Sequence, residues 1–151
     1  MLLSSVYLVV NDFERSIAFY EKLLEISVSI RNMDRFASFH FNGKCISLMN
    51  GHFDADHPDK VVRKGAYVEP IDQFRKIALA PNTNKFVLNF WSENLCAEYI
   101  RLKGLNISLN MSGILYVYNV SPYYFFTLTD PDGNAIEVTG NYTPSADEFD
   151  E

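Results

Sequence analysis

The chain has 151 residues, of which 48% are hydrophobic and 15% aromatic, and a formal net charge of −6. This length and composition predict a single globular domain, or two small packed modules, with enough apolar residues to build a core. Because the acidic chain carries no clustered stripe of lysine and arginine, neither nucleic acid nor a membrane surface is an expected partner.

Residues 1–50 predict a strand, a helix and three further strands. The apolar opening "LLSSVYLVV" is too short to span a bilayer and lacks the features of a cleaved leader, so it is interpreted as a strand. In "NDFERSIAFYEKLLE", Asn11 or Asp12 can cap a helix whose apolar residues recur at helical spacing. The runs "ISVSI", "RFASFHFNG" and "KCISLMN" follow as strands, the last two joined by an Asn42–Gly43 turn.

Residues 51–84 are predicted to be a linker with a short helix from Ile71 onward. Its first part, "GHFDADHPDK", has the composition of a polar loop. Imidazoles and carboxylates at this density can bind a metal adventitiously, but the segment is interpreted as a solvated loop. The groups concerned are His52, Asp54, Asp56 and His57.

Residues 85–141 repeat the first order of elements. "KFVLNFW" predicts a strand, and "SENLCAEYIRLKG" predicts a helix that is capped by Ser92 and ends near Gly104. Four strand-like runs follow, "ISLN", "GILYVYN", "YYFFTLT" and "NAIEVTG". Tyr20 and Tyr99 occupy matching helix positions, which indicates an internal duplication. Residues 142–151 are predicted to be a frayed acidic tail.

Alternation along the paired strands separates an apolar face from a mixed one. The apolar set is Val6, Leu8, Val10, Ile46, Leu48, Phe86, Leu88, Phe90, Ile136 and Val138. The mixed set is Ser5, Tyr7, Val9, Cys45, Ser47, Met49, Lys85, Val87, Asn89, Ala135, Glu137 and Thr139. Small, aromatic and sparse polar residues are typical of a face that lines a small-molecule cavity, so Glu137 is expected to point into one. The alternative is an acid on an exposed strand, paired with a neighbour.

The chain resembles the glyoxalase/bleomycin-resistance/extradiol-dioxygenase group, also called the vicinal oxygen chelate superfamily. The resemblance is carried by "VNDFERSIAFYEKLLE", "EYIRLKGLNI" and above all "LTDPDGNAIEV". It implies an α+β fold in which two tandem βαβββ modules form a curved mixed sheet around a cavity, within one structural domain. It also implies a homodimer.

Metal-dependent members of that family use four inward His or Glu ligands, and the resemblance places these positions on Ser5, Ser47, Lys85 (or its neighbour Asn84) and Glu137. A serine hydroxyl is a poor donor for a transition metal, and a protonated lysine has no lone pair. No metal and no cofactor is therefore expected. Lys85 is predicted to stand in for the cation beside Glu137, either as part of a ligand site or as a structural ion pair.

Three functions follow from the resemblance. The first is metal-free binding of a small cationic or aromatic molecule, with Ser5, Tyr7, Ser47, Met49, Lys85, Asn89 and Glu137 as the binding residues. The second is a lyase or isomerase of the lactoylglutathione-lyase type, with Glu137 as general base and Lys85 stabilising an oxyanion. The third is a regulatory module that binds another protein. Cys45 and Cys96 have no paired spacing and predict free thiols and a cytoplasmic location.

Overall fold

The computed structural model describes residues 5–61, 73–83, 85–119, 121–145 and 148. In the first part of the chain the elements are β1 (Val6–Val10), α1 (Phe13–Leu24), β2 (Ile30–Asn32), β3 (Phe36–Phe41) and β4 (Lys44–Asn50). Two short helices follow, α2 (Phe53–Asp56) and α3 (Gln73–Ala78), with a 3₁₀ turn at Pro58–Lys60. The second part holds β5 (Val87–Ser92), α4 (Leu95–Gly104), β6 (Leu115–Asn119), β7 (Ser121–Thr129) and β8 (Ala135–Gly140).

The two parts build the same sheet twice. The strand orders are β1-β4-β3-β2 and β5-β8-β7-β6. In each sheet the first and last strands of the module pair in parallel, and the remaining pairs are antiparallel. The predicted duplication of a βαβββ module and the α+β fold class are therefore confirmed. The chain divides into two compact units, residues 1–81 and 82–151.

In the first unit, α1 packs on one face of its sheet. Asp12 caps the helix by accepting a hydrogen bond from the amide of Arg15 at 3.1 Å. The buried aromatic rings of Tyr20 and Phe39 lie 6.2 Å apart at the centre of this core. Of the run "ISVSI", only Ile30 belongs to a strand. The amide of Ser29 bonds to Ser38 of β3, but the amide of Val28 bonds to the carboxylate of Glu21.

In the second unit, α4 covers the corresponding face, and Tyr99 meets Phe126 edge to face at 5.4 Å. The helix cap is Asn94, whose side chain accepts from the amide of Ala97 at 3.0 Å, so the prediction of Ser92 as cap is wrong. Ser92 is the last residue of β5 and its hydroxyl accepts from the amide of Asn94. The prediction of a strand at "ISLN" is also wrong, since residues 107–110 lie in a turn between α4 and β6.

The predicted apolar face is confirmed for both sheets, except at Phe86. Its buried members are Val10, Ile46, Leu48, Leu88, Ile136 and Val138. Phe86 precedes β5 and is exposed, because its strand begins one residue later. We call the other side of each sheet, which does not pack on the helix, the open face.

The segment after β4 packs in the first unit and is not the solvated loop that its composition predicts. Phe53 and Asp54 are buried, and the Asp54 carboxylate forms an ion pair with Arg35 at 2.8 Å. Gly51 lies against α3 so closely that a Cβ at this position would be 2.4 Å from the Cβ of Ala78. Ile71, where the helix was predicted to begin, lies outside the described residues. In the part of the chain that is described, no helix is long and apolar enough to cross a membrane.

Candidate functional site

The open face of the second sheet carries an acid at its centre. In the parallel pair of β5 and β8, Asn89 lies directly opposite Glu137, and Trp91 lies opposite Thr139. The antiparallel pair of β7 and β8 places Thr127 on the other side of Glu137. Since alternate residues share a face, Asn89, Trp91, Glu137 and Tyr123 all lie on the open side of the sheet.

Three polar side chains from three strands form one hydrogen-bonded cluster. The Tyr123 hydroxyl donates to Glu137 Oε1 at 2.8 Å, and Asn89 Nδ2 donates to the same oxygen at 2.5 Å. Asn89 Nδ2 also lies 3.1 Å from the Tyr123 hydroxyl oxygen. The carboxylate is half-buried and is held in place by neutral donors on both sides. Such a preorganised acid can bind a cationic group or accept a proton.

The structure places Lys85 outside the strand that pairs with the strand of Glu137. It lies two residues before β5 and four residues before Asn89, the residue opposite Glu137, and it is exposed. Among the described residues, Lys85 forms no ion pair with Glu137, whose partners are Asn89 and Tyr123. Because β5 begins at Val87, its pairing with β8 does not align the side chain of Lys85 with that of Glu137. Asn84 lies outside the described residues.

The open face of the first sheet holds a different polar cluster. Ser38 and Ser47 are opposite each other on β3 and β4, are both buried, and their hydroxyl oxygens lie 3.1 Å apart. The Cys45 sulfur lies 2.9 Å from the Ser38 hydroxyl and 3.4 Å from that of Ser47. Ser47 therefore has hydrogen-bond partners within its own sheet.

The other predicted binding residues of the first module lie around this cluster. Tyr7 is opposite Ser47 and 55% exposed, and Met49 is a half-buried residue near the end of β4. Ser5 is exposed immediately before β1. Both cysteines of the chain, Cys45 and Cys96, are free thiols.

The residues at the four family ligand positions do not suit a divalent metal. Glu137 is the single carboxylate among them, and the hydroxyl of Ser47 is shared with Ser38 and Cys45. In the described ranges, no three His, Cys, Asp or Glu side chains lie together as a metal site would require. His52 bonds instead to Asn11 at 2.7 Å and to Arg75 at 3.2 Å. Because neutral hydroxyls and an ammonium are poor ligands, we derive no metal-dependent step.

Sequence reasoning missed Tyr123 as a member of the cluster. Four tyrosines near β6 and β7, at positions 116, 118, 123 and 124, do not follow a single alternation. The antiparallel pairing Phe125↔Thr139 settles the parity, because it puts Tyr123 on the same side as Glu137. Tyr123 is four residues before Thr127 and therefore on the same face of β7. The sequence could have placed it beside Glu137 only if the pairing of Thr127 with Glu137 had been known.

The fold and the site together define a class, that of α+β proteins built from two βαβββ modules with a polar cluster on an open sheet face. A family model of the Glyoxalase/Bleomycin resistance protein/Dioxygenase superfamily matches residues 2–138. The chain therefore belongs to this superfamily, as the sequence resemblance predicts. No curated protein sequence matches the chain significantly.

Solved structures share the fold at low sequence identity. A protein from the mobile metagenome of V. Pseudocholerae has a TM-score of 0.62 and 22% identity, covering 95% of this chain and 96% of its own. A lactoylglutathione lyase from Agrobacterium tumefaciens has a TM-score of 0.58 and 16% identity, covering 93% of both chains. A bleomycin-binding protein complexed with bleomycin has a TM-score of 0.57 and 18% identity, covering 94% of this chain and 100% of its own. These similarities establish the fold.

Proposed function

We propose that the protein binds a small organic molecule on the open face of its second sheet, without a metal. The observation that carries this proposal is the cluster at Glu137, where Asn89 and Tyr123 both donate to one carboxylate oxygen. A buried structural acid would have both oxygens occupied by the protein, whereas this one lies half-buried on an accessible surface. Preorganised polar groups on a largely apolar surface are typical of ligand sites.

Exposed apolar side chains flank the cluster and support the same proposal. Trp91 is 62% exposed and Val87 is 47% exposed, and both lie on the open face with Asn89. Isolated exposed apolar residues are common. Here one lies on each side of the hydrogen-bonded carboxylate along the strand, and together they offer a surface for the body of a ligand. The binding roles that the sequence predicts for five further residues stay predictions: Ser5, Tyr7, Ser47, Met49 and Lys85.

A lyase or isomerase is the second candidate, favoured by the Tyr123 hydroxyl beside Glu137. In that case Glu137 would remove a proton next to a carbonyl group. Because Lys85 lies outside β5, Tyr123 is the better-placed group to stabilise the developing oxyanion. The fold of a lactoylglutathione lyase is compatible with this candidate, and the fold of a bleomycin-binding protein is compatible with the first.

A ligand screen by thermal shift tests the proposed function, with cationic drugs and hemithioacetals of aldehydes and thiols as the two compound sets. A compound that binds only the folded protein raises the melting temperature. We expect hits whose shift is lost in Glu137→Gln and kept in Glu93→Gln, a matched change at an exposed acid of the same unit. Conversion of the hemithioacetal that depends on Glu137 would favour the lyase. No Glu137-dependent shift with any compound would contradict the proposal.

We also propose that the protein is a cytoplasmic homodimer. The supporting observations are two free thiols in the chain and the family to which it belongs. Light scattering after size exclusion measures the mass directly, and the mass of a single 17.3 kDa chain would contradict the dimer.

A further inference from the structure

The two oxygens of the Glu137 carboxylate are in different situations. Oε1 accepts from both Asn89 and Tyr123. Within the described part of the chain, Oε2 receives no hydrogen bond and no cationic side chain pairs with the carboxylate. Both donors on Oε1 are neutral, so none of the described side chains compensates the negative charge with a positive one. A carboxylate in this state binds a positively charged donor more strongly than a neutral one.

A tryptophan lies on the same open sheet face as Glu137. Trp91 is on the same face as Asn89, two residue pairs further along β5 and β8. The spacing between strands and the rise per residue put the Cα atoms of Trp91 and Glu137 about 8 Å apart. The indole is 62% exposed, so its surface is accessible to a ligand. Indole is the aromatic group that attracts organic cations most strongly.

We propose that this face recognises a primary organic ammonium ion attached to an apolar or aromatic body. An N–H of the ammonium group donates to Glu137 Oε2, and the body lies against Trp91. This inference rests on the proposed function and narrows its ligand class. A quaternary ammonium has charge but no N–H for Oε2, and a neutral alcohol has a donor but no charge. The primary ammonium supplies both, so it binds more tightly than either.

Trp91 is the sole tryptophan of the chain, so its fluorescence reports ligand binding at this position. The test titrates the intact protein with phenethylammonium, its N,N,N-trimethyl analogue and 2-phenylethanol, while indole emission is recorded. We expect phenethylammonium to change the emission with the lowest dissociation constant. Because the alcohol lacks the charge-assisted hydrogen bond, we expect its dissociation constant to be at least about tenfold higher than that of phenethylammonium.

Two pairs of variants separate the roles of charge and ring. Glu137→Gln should weaken binding of phenethylammonium about tenfold or more and leave the alcohol unchanged, whereas Glu93→Gln should alter neither. Trp91→Leu, followed by calorimetry, should weaken the ammonium about 3- to 30-fold. Its control is Tyr118→Leu, which removes a 70% exposed ring from the opposite side of the same sheet. Circular dichroism verifies that each variant is folded.

Equal affinity for the alcohol and the ammonium would overturn the inference, as would an ammonium affinity that Glu137→Gln does not change. Absence of binding by all three probes would overturn it too. The thermal-shift screen distinguishes failure of the ammonium inference from failure of the proposed function. If neutral or anionic compounds bind in a Glu137-dependent way and ammonium ions do not, the proposed function stands and the ammonium inference fails. If no compound binds in that way, both fail.

Discussion

An acid at the middle of an apolar strand is explained by its neighbours across the sheet. Glu137 lies between Ile136 and Val138, which are both buried against the helix side, while its own side chain points to the open face. There the amide of Asn89 and the hydroxyl of Tyr123 satisfy one of its oxygens. The strand therefore keeps its core contacts, and the polar group avoids an unfavourable burial.

Close backbone contact at the end of β8 makes Gly140 sensitive to substitution. A Cβ at this position would lie 2.0 Å from the carbonyl oxygen of Ser92, its partner on β5. We expect Gly140→Ala to lower the free energy of unfolding by about 1–3 kcal/mol, because the two strands must separate locally. Gly113→Ala is the control, since a Cβ there has no neighbour within 4 Å. Urea denaturation measures both, and equal stabilities would show that the strands adjust freely.

The carboxyl-terminal segment contains an acid-paired phenol. A hydrogen bond to the Glu148 carboxylate, together with burial, raises the pKa of Tyr142 from its ordinary 10 to about 12. Because the folded-state pKa is raised, this contribution to stability is complete below pH 10 and is lost as the pH rises through about 12. Glu148, which lies in the tail that the sequence predicts to be frayed, accepts hydrogen bonds from the Tyr142 hydroxyl and the Ser145 amide.

Replacing the carboxylate should reverse this shift. We expect Glu148→Gln to lower the pKa of Tyr142 toward its ordinary value, measured from the carbon-13 shift of the phenol ring carbon that bears the oxygen. Tyr142→Phe assigns the resonance, and Glu93→Gln controls for the loss of one charge in the same unit. A Tyr142 pKa that is the same in Glu148→Gln as in the parent would contradict the assignment of the cause.

At the scale of the elements, the two modules use equivalent devices. Each long helix begins after a side chain that accepts from the amide three residues later, Asp12 in α1 and Asn94 in α4. Each helix then buries its apolar side on the strand that pairs in parallel with the first strand of the module. The duplicated order of elements is therefore matched by duplicated local chemistry.

Removing either cap should cost a similar amount of stability. We expect Asp12→Ala and Asn94→Ala each to lower the free energy of unfolding by about 1 kcal/mol, because one amide at the helix start loses its acceptor. Serine at the same positions should recover most of the loss. Glu93→Ala, beside the second cap, is the control. If only one of the two alanine variants were destabilised, the first turn of the other helix would be stabilised by packing and not by its cap.

At the scale of the whole chain, one ion pair joins the segment after β4 to the rest of the first unit, and another joins the two helices of that segment. Arg35, which precedes β3, pairs with Asp54 of α2, and Arg75 of α3 pairs with Asp56. The Asp54 side chain is only 10% exposed, so its charge depends on Arg35 for compensation. These contacts place α2 and α3 with the unit that ends at Pro81.

Breaking the inner pair should destabilise the protein more than breaking an exposed one. We expect Asp54→Asn to cost about 1–3 kcal/mol, since the half-buried Arg35 would lose its charged partner. Asp34→Asn, which removes a 70% exposed carboxylate from Arg31, should cost less than about 1 kcal/mol. Denaturant unfolding compares the two variants. Equal costs would show that water, and not Asp54, compensates Arg35.

The sequence by itself determined the features that depend on local periodicity. Three features follow from spacings along the chain: the duplication, the helix at residues 13–24 and the apolar face that holds Leu48 and Val138. The same alternation puts Glu137 on the face opposite these apolar residues. The superfamily and its α+β fold follow from the same motifs. These predictions succeed because a helix repeats every 3.6 residues and a strand every two.

Only the tertiary structure decided which side chains meet. The pairing of strands brings Asn89 and Tyr123 to Glu137 and leaves Lys85 outside the sheet. It also caps α4 with Asn94 in place of Ser92, and buries Asp54 beside Arg35 in a segment that is polar in composition. The physical reason is that strand register and helix docking depend on contacts between residues distant in the chain, which no local periodicity encodes.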